Sequence, residues 1–414
     1  MVKHRKKWNR IQTQLDQLAE NMYLVMFLVL VVFTFLKTTT IPVPWASPGA
    51  SIEYFNEYAE NIPVYMEYSL IIVILFRMAI RMKERWRYLL LAAGLYGVVK
   101  YAVSVNQYDN LILLCLLTLG AKDIPFRKMM RIYTFTVALL LSITVGAAVS
   151  GRIENLAFGE GDKLAFGIVS STDFAAHVFF LMLCYWYVRG ERITWWEALL
   201  PLGAAVFVYK WSIARCSTIC LIALAFLIAG HYWARKIKER REEKYRMSSV
   251  WTFFLSLSFV LSAIGTLVIS AAYNAKIPLW VKLNEVMSNR LELGKRAIAI
   301  CGFQIWGRDI RLIGNWAEGS ATGKYFYIDS SYLQMAVMYG MIISALVLIA
   351  FQIIGYRAYS EKQWILLWIL ALMSIHGIIE QRIWSLSYCP FILALFARLD
   401  EERKEKGIGW KKEP

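Results

Sequence analysis

Long apolar runs separated by short clusters of charge dominate the chain. A helix that crosses a bilayer needs about 20 mostly apolar residues, and about twelve runs meet or approach that length. They lie near 22–41, 63–80, 88–104, 109–120, 132–150, 170–188, 195–213, 214–233, 250–272, 331–355, 363–380 and 383–398. The pattern predicts an all-α, polytopic integral membrane protein with one large external loop. Its parts are a basic start (1–21), nine helices (22–272), the loop (273–330), three more helices (331–398) and a basic tail (399–414).

The polar gaps alternate in sign. Alternate gaps hold HRKKWNR at the start, Arg81 to Arg87, Lys122 to Arg131, Arg189 with Arg192, ARKIKERREEKYR over 234–246, and KEKGIGWKK at the end. Lys and Arg mark cytoplasmic loops, so both termini are expected in the cytoplasm of a bacterial inner membrane protein. The intervening gaps agree: 42–62 carries Glu53, Glu57 and Glu60 without a cation. The first apolar run is long enough to span and lacks a cleavage site, so it reads as an anchor. Residues 5–20 read either as an interfacial helix or as a solvated basic tail.

Composition supports lipid as the solvent: 58% of the 414 residues are hydrophobic and only 18% charged. The net charge of +16 belongs to the cytoplasmic loops, so it does not imply nucleic acid. The six cysteines form no CxxC pair, which leaves no zinc or disulfide framework to read.

Charge at membrane depth costs about 2.5 to 3.5 kcal/mol per residue, so such residues are paired or used. Asp173, His177, Lys210, Arg215, Asp329, His376, Glu380 and Arg382 all map to outer helix ends. Asp173 and His177 share a helix face, as a structural pair or a catalytic one. Arg77 and Lys100 can snorkel to opposite surfaces and read as structural. The external segment is cationic, which suits an anionic ligand, although long loops also escape the charge bias. Within it, NRLELGKRAIAI has the spacing of a packed helix. Its aromatics, Trp280, Trp306, Trp316, Tyr325, Phe326 and Tyr327, suit sugar stacking or interfacial anchoring.

From about residue 130 the chain resembles the O-antigen ligase and polymerase superfamily, in particular the Wzy-type polymerases of surface polysaccharides. The resemblance rests on ordered parts: FGIVSSTDFAAHVFF, SIARCSTICLIAL, the loop opening NRLELGKRAIAI, Trp306-Gly307, and IDSSYLQMAVMYGMI. It implies a GT-C-like helical architecture and a glycosyltransferase acting on undecaprenyl-diphosphate-linked oligosaccharide repeats at the outer leaflet. The growing glycan would pass to a new repeat unit, with the lipid diphosphate leaving. A flippase and a chain-length regulator are the partners implied. Arg215 matches an Arg of the family, with Ala214 replacing its Ser, and Arg290 matches the Arg that opens the loop helix. Asp329 stands where ligases commonly carry His, which favours a polymerase.

A departing diphosphate is stabilised by cations, and Arg forks grip phosphate oxygens bidentately. Arg215, Arg290 and Arg296 are the candidates, with Asp173, Lys210, His376 and Arg382 as possible support. An attacking hydroxyl gains from a proton acceptor, for which Asp329, Glu380 and His177 are the candidates. Asp329 can equally cap the helix that follows it. No acidic metal cage is visible, so a metal-independent, cofactor-free reaction is expected. A ligase that transfers finished polymer shares the donor chemistry. A lipid-linked oligosaccharide transporter or flippase also has many helices, but no clear internal repeat supports it.

Overall fold

A computed structural model of the chain describes residues 2–42, 53–80, 82–158, 163–241, 247–313 and 326–399. The basic tail from 400 onward, part of the 234–246 cation cluster and the middle of the external segment, with Trp316 and Tyr325, lie outside the described residues. The protein is all-α apart from one two-residue hairpin, β1 (Ala157–Phe158) with β2 (Lys163–Leu164).

Among the described residues six helices are long and apolar enough to cross a membrane. They are α1 (Val2–Leu36), α2 (Glu53–Ile80), α3 (Met82–Asn106), α5 (Phe126–Val149), α8 (Arg215–Arg240) and α14 (Met341–Ser360). The pair α9 (Ser249–Ser256) and α10 (Ser258–Ala272) would make a seventh span, bent by 55°. Shorter apolar helices are α4 (Asn110–Gly120) and α15 (Trp364–Ile379). Between α5 and α8 lie α6 (Ser171–Arg189) and α7 (Leu199–Phe207), and a left-handed Ile213 (φ 52°) turns the chain into α8. Large apolar side chains face outward, with Phe135 at 72% and Phe226 at 73% exposure. Such a surface is stable only against lipid.

Three expected spans differ in form. The run at 195–213 divides into a short 3-10 turn, α7 and one π-helical turn. The run at 331–355 is broken: α13 (Ser331–Gln334) passes through a π turn to Gly340 (φ 97°), and α14 starts afresh. The run at 383–398 contains no α-helix; turns lead into a 3-10 helix at Phe391–Leu395. Pro390 has no N–H to give a helix. Side chains take over the backbone bonding there: Tyr133 Oη reaches the carbonyls of Ser387 and Tyr388 (2.9 and 2.7 Å). Arg357 donates to those of Ala394, Leu395 and Ala397 (2.6, 2.8 and 2.8 Å). Phe391 and Leu393 are fully buried, so this run is apolar because it lies inside the protein.

Arg77 is buried rather than carried to a surface, its guanidinium donating to the carbonyls of Gly120 and Lys122. Lys100 does more than reach for a surface: its Nζ pairs with Glu67 of α2 at 2.8 Å.

The external segment is folded onto the helices. It contains α11 (Pro278–Val286) and α12 (Arg290–Cys301), the latter over the expected NRLELGKRAIAI stretch. Gly294 lets α12 lie close to α10 and α13, since a Cβ there would come within 2.7 Å of Leu333 and 3.0 Å of Ser270. Residues 304–308 then bond the broken helix: Arg308 N donates to Met338 O (2.9 Å), and Met341 N donates to Gln304 O (2.9 Å). Asn106 ties both strands of this contact to α3, with Nδ2 at 3.4 Å from Trp306 O and 3.2 Å from Tyr339 O.

Candidate functional site

Four chain segments converge at one place: the first turn of α6, the start of α12, the residues before α13 and the chain after α15. They bring together Asp173, Asp329, Glu380 and Arg382, four of the residues that the charge pattern puts at outer helix ends, with Arg290 of the cationic external segment. Arg382 forms an ion pair with Asp173, both largely buried. The Arg382 guanidinium also lies over the Tyr388 ring, 5.3 Å from its centre. Arg290 Nε lies 3.4 Å from Asp329 Oδ2, while its Nη1 donates to Ser288 O at 3.1 Å. Burial pushes the Asp329 carboxyl above the usual carboxylate range, and Arg290 pulls it back only in part.

Glu380 sits among these groups, within electrostatic reach of Arg382, Arg290, Asp329 and Asp173. Its backbone is fixed at both ends. The N–H donates to His376 O (2.9 Å), and the carbonyl accepts from Ser331 Oγ (2.6 Å). Gln381 contacts the Tyr327 hydroxyl and, at 2.6 Å, the Gln334 amide. Gln334, Gln381, Ser331 and Tyr388 are site residues that the sequence did not single out, being uncharged or placed in an apolar run.

The remaining candidates divide. His177 is fully buried, its Nε2 2.9 Å from Thr38 Oγ1 and its ring packed 4.2 Å from that of Tyr388. It supports the cluster from behind, and Asp173 turns to Arg382 rather than to it. His376 likewise contacts Ser217 Oγ (3.1 Å) and stacks on Phe179 at 4.6 Å. Arg215 opens α8 and is exposed, with no hydrogen bond or ion pair to another described residue. It lies beside the cluster, because its neighbour Cys216 is within electrostatic reach of Glu380 and Arg290. Arg296 and Lys210 are not brought in. Arg296 is exposed on α12, six residues beyond Arg290 and so on another face. Lys210 is exposed and lies 5.0 Å over the Trp211 ring.

Asp329 is not the cap of the helix that follows: Ser330 holds that position, and its side chain makes no capping bond.

Next to the cluster runs an apolar cleft of about 270 Å³ between α10, α12, α13 and α15. Leu261, Ile269, Leu291 and Ile378 line it, and Arg290 and Ser330 form its polar margin. Ser262, Thr266 and Ser270 add hydroxyls to the same wall, so the cleft offers a largely apolar lining, a few hydrogen-bonding groups and one guanidinium. Among the described residues no group of three or more His, Cys, Asp or Glu side chains is arranged to hold a metal ion.

No protein-family model, curated protein or solved structure matches the chain.

Proposed function

We propose that the chain is a membrane glycosyltransferase that extends a glycan carried on a polyprenyl diphosphate, acting as a Wzy-type polymerase at the outer face of a bacterial inner membrane. The observation that carries this reading is the apolar cleft with Arg290 on its polar margin, beside a buried cluster of carboxylates and a second arginine. The prenyl chain lies in the cleft and the diphosphate meets Arg290, with Arg215 uncommitted nearby. The incoming phosphate oxygens compete with Asp329 for the guanidinium, and the negative charge that develops on the leaving group strengthens their side. Tyr327, Gln381 and Gln334 supply neutral hydrogen-bonding groups for sugar hydroxyls.

The same reading takes the short helices and the buried irregular segments as membrane crossings. That gives about a dozen, in a GT-C-like arrangement with both ends cytoplasmic. Donor and acceptor are both lipid-linked oligosaccharides, supplied by a flippase and limited by a chain-length regulator. No cofactor is required by this chemistry.

Deleting the gene and analysing lipid-linked sugars tests the reading. Accumulation of one repeat unit on the lipid supports a polymerase. Accumulated long polymer makes the enzyme a ligase, and unchanged lipid-linked sugars would remove it from this chemistry.

A further inference from the structure

We infer that Glu380 is the proton acceptor of the transfer step, an assignment that rests on the glycosyltransferase reading above. The cluster holds three carboxylates and two guanidiniums, so the pairing leaves one carboxylate over. Asp173 is committed to Arg382 and Asp329 to Arg290. The Glu380 carboxylate makes no hydrogen bond or ion pair with another described residue, although the residue is only 5% exposed. Its oxygens are not among the sealed, partnerless atoms of the site, so this mostly buried carboxylate stays open to an incoming hydroxyl, as a group used in chemistry must be. Both polar groups of its backbone are bonded, to His376 and Ser331, which fixes where the side chain starts.

The chemistry separates Glu380 from Asp329. The acceptor hydroxyl oxygen forms a bond to the anomeric carbon. The bond from that carbon to the phosphate oxygen breaks, its electron pair departs on the lipid diphosphate, and the hydroxyl proton passes to the Glu380 carboxylate and then to external water. Asp329 shares Arg290 with the leaving group, which puts it on the diphosphate side of the reaction. Glu380 carries no such commitment and lies within electrostatic reach of both Arg290 and Arg382.

The test uses the full-length protein in lipid nanodiscs, with undecaprenyl diphosphate as the binding probe, and the deletion strain for polymer formation. Glu380→Gln should bind undecaprenyl diphosphate within about twofold of the parent and melt at the parental temperature. Its polymer formation should fall by about 10² to 10⁴. Asp329→Asn should lose less than Glu380→Gln. Formate should restore part of the activity of Glu380→Ala, by replacing the missing carboxylate. Parental polymer formation in Glu380→Gln overturns the assignment, as does a loss of undecaprenyl diphosphate binding that accounts for the loss of polymer. If the parental protein neither binds undecaprenyl diphosphate nor restores polymer to the deletion strain, the glycosyltransferase reading itself falls, and the role of Glu380 with it.

Discussion

Arg290 and Asp329 are coupled by charge alone: Nε and Oδ2 lie 3.4 Å apart, both atoms are buried, and neither makes a hydrogen bond. Removing one partner strands the other's charge. Arg290→Ala and Asp329→Ala should each lower stability by about 1 to 3 kcal/mol. The double variant should recover part of that loss. Thermal melts of the four proteins in one detergent give the coupling, and strictly additive losses would mean that the two charges do not interact.

The pair also illustrates what the sequence could and could not convey. Charged residues in apolar surroundings are conspicuous, which is why Asp173, Asp329, Glu380 and Arg382 could be named without coordinates, whereas Arg290 was named from the cationic external segment and the resemblance that segment carries. Their pairing was hidden, because Asp329 meets a residue 39 positions away while local rules offered it a helix to cap. Arg296 was drawn in by its nearness to Arg290 in sequence, but six helical residues turn it to another face. Hydropathy likewise reads 383–398 as a span, since Phe391 and Leu393 are equally apolar whether lipid or protein covers them. The main helices were plain because long runs such as α1 and α5 leave the backbone no other way to satisfy itself in lipid.

Arg215 makes no hydrogen bond or ion pair with another described residue. Lys keeps the charge but loses the planar fork that holds two phosphate oxygens. Arg215→Lys should therefore cost nearly as much polymer as Arg215→Ala at matched protein level, and full activity in Arg215→Ala would remove it from the diphosphate site.

By charge alone, Lys would serve at position 357 as well as Arg. The bonds of Arg357 to three carbonyls of the 394–397 stretch argue otherwise. Arg357→Lys should destabilise by about 1 to 3 kcal/mol, because two of those carbonyls lose a charged donor. A melting temperature equal to the parent's would contradict this.

Gly340 and Gly307 face each other so closely that a Cβ on either would strike the other strand's backbone. Gly340→Ala should cost about 2 to 4 kcal/mol, combining a positive φ with that collision. Gly302 is the control, since its φ is also positive (63°) but nothing lies within 4 Å of an added Cβ. Gly302→Ala should cost less than Gly340→Ala, only the backbone strain of about 1 to 3 kcal/mol at its φ of 63° and ψ of −171°. Equal losses at the two sites would show that the backbone contact carries no weight.

Orientation can be read with thiol labels in a cysteine-free background. Lys282→Cys on α11 should react with an impermeant reagent in intact cells, and Lys236→Cys near the end of α8 should react only after lysis. Both positions are exposed. The opposite pattern would put the charged cluster on the cytoplasmic face.

The stretch from Glu380 to Leu399 borrows backbone bonding from elements earlier in the chain: Tyr133 of α5, Ser331 and Arg357 donate to its carbonyls, and its Ser387 hydroxyl donates to the Thr34 carbonyl of α1. Unlike an α-helix, it does not satisfy its backbone from within. The seating of Glu380 and Arg382 therefore depends on side chains far away in sequence, and a change at Tyr133, Ser331 or Arg357 reaches the charged constellation through the backbone.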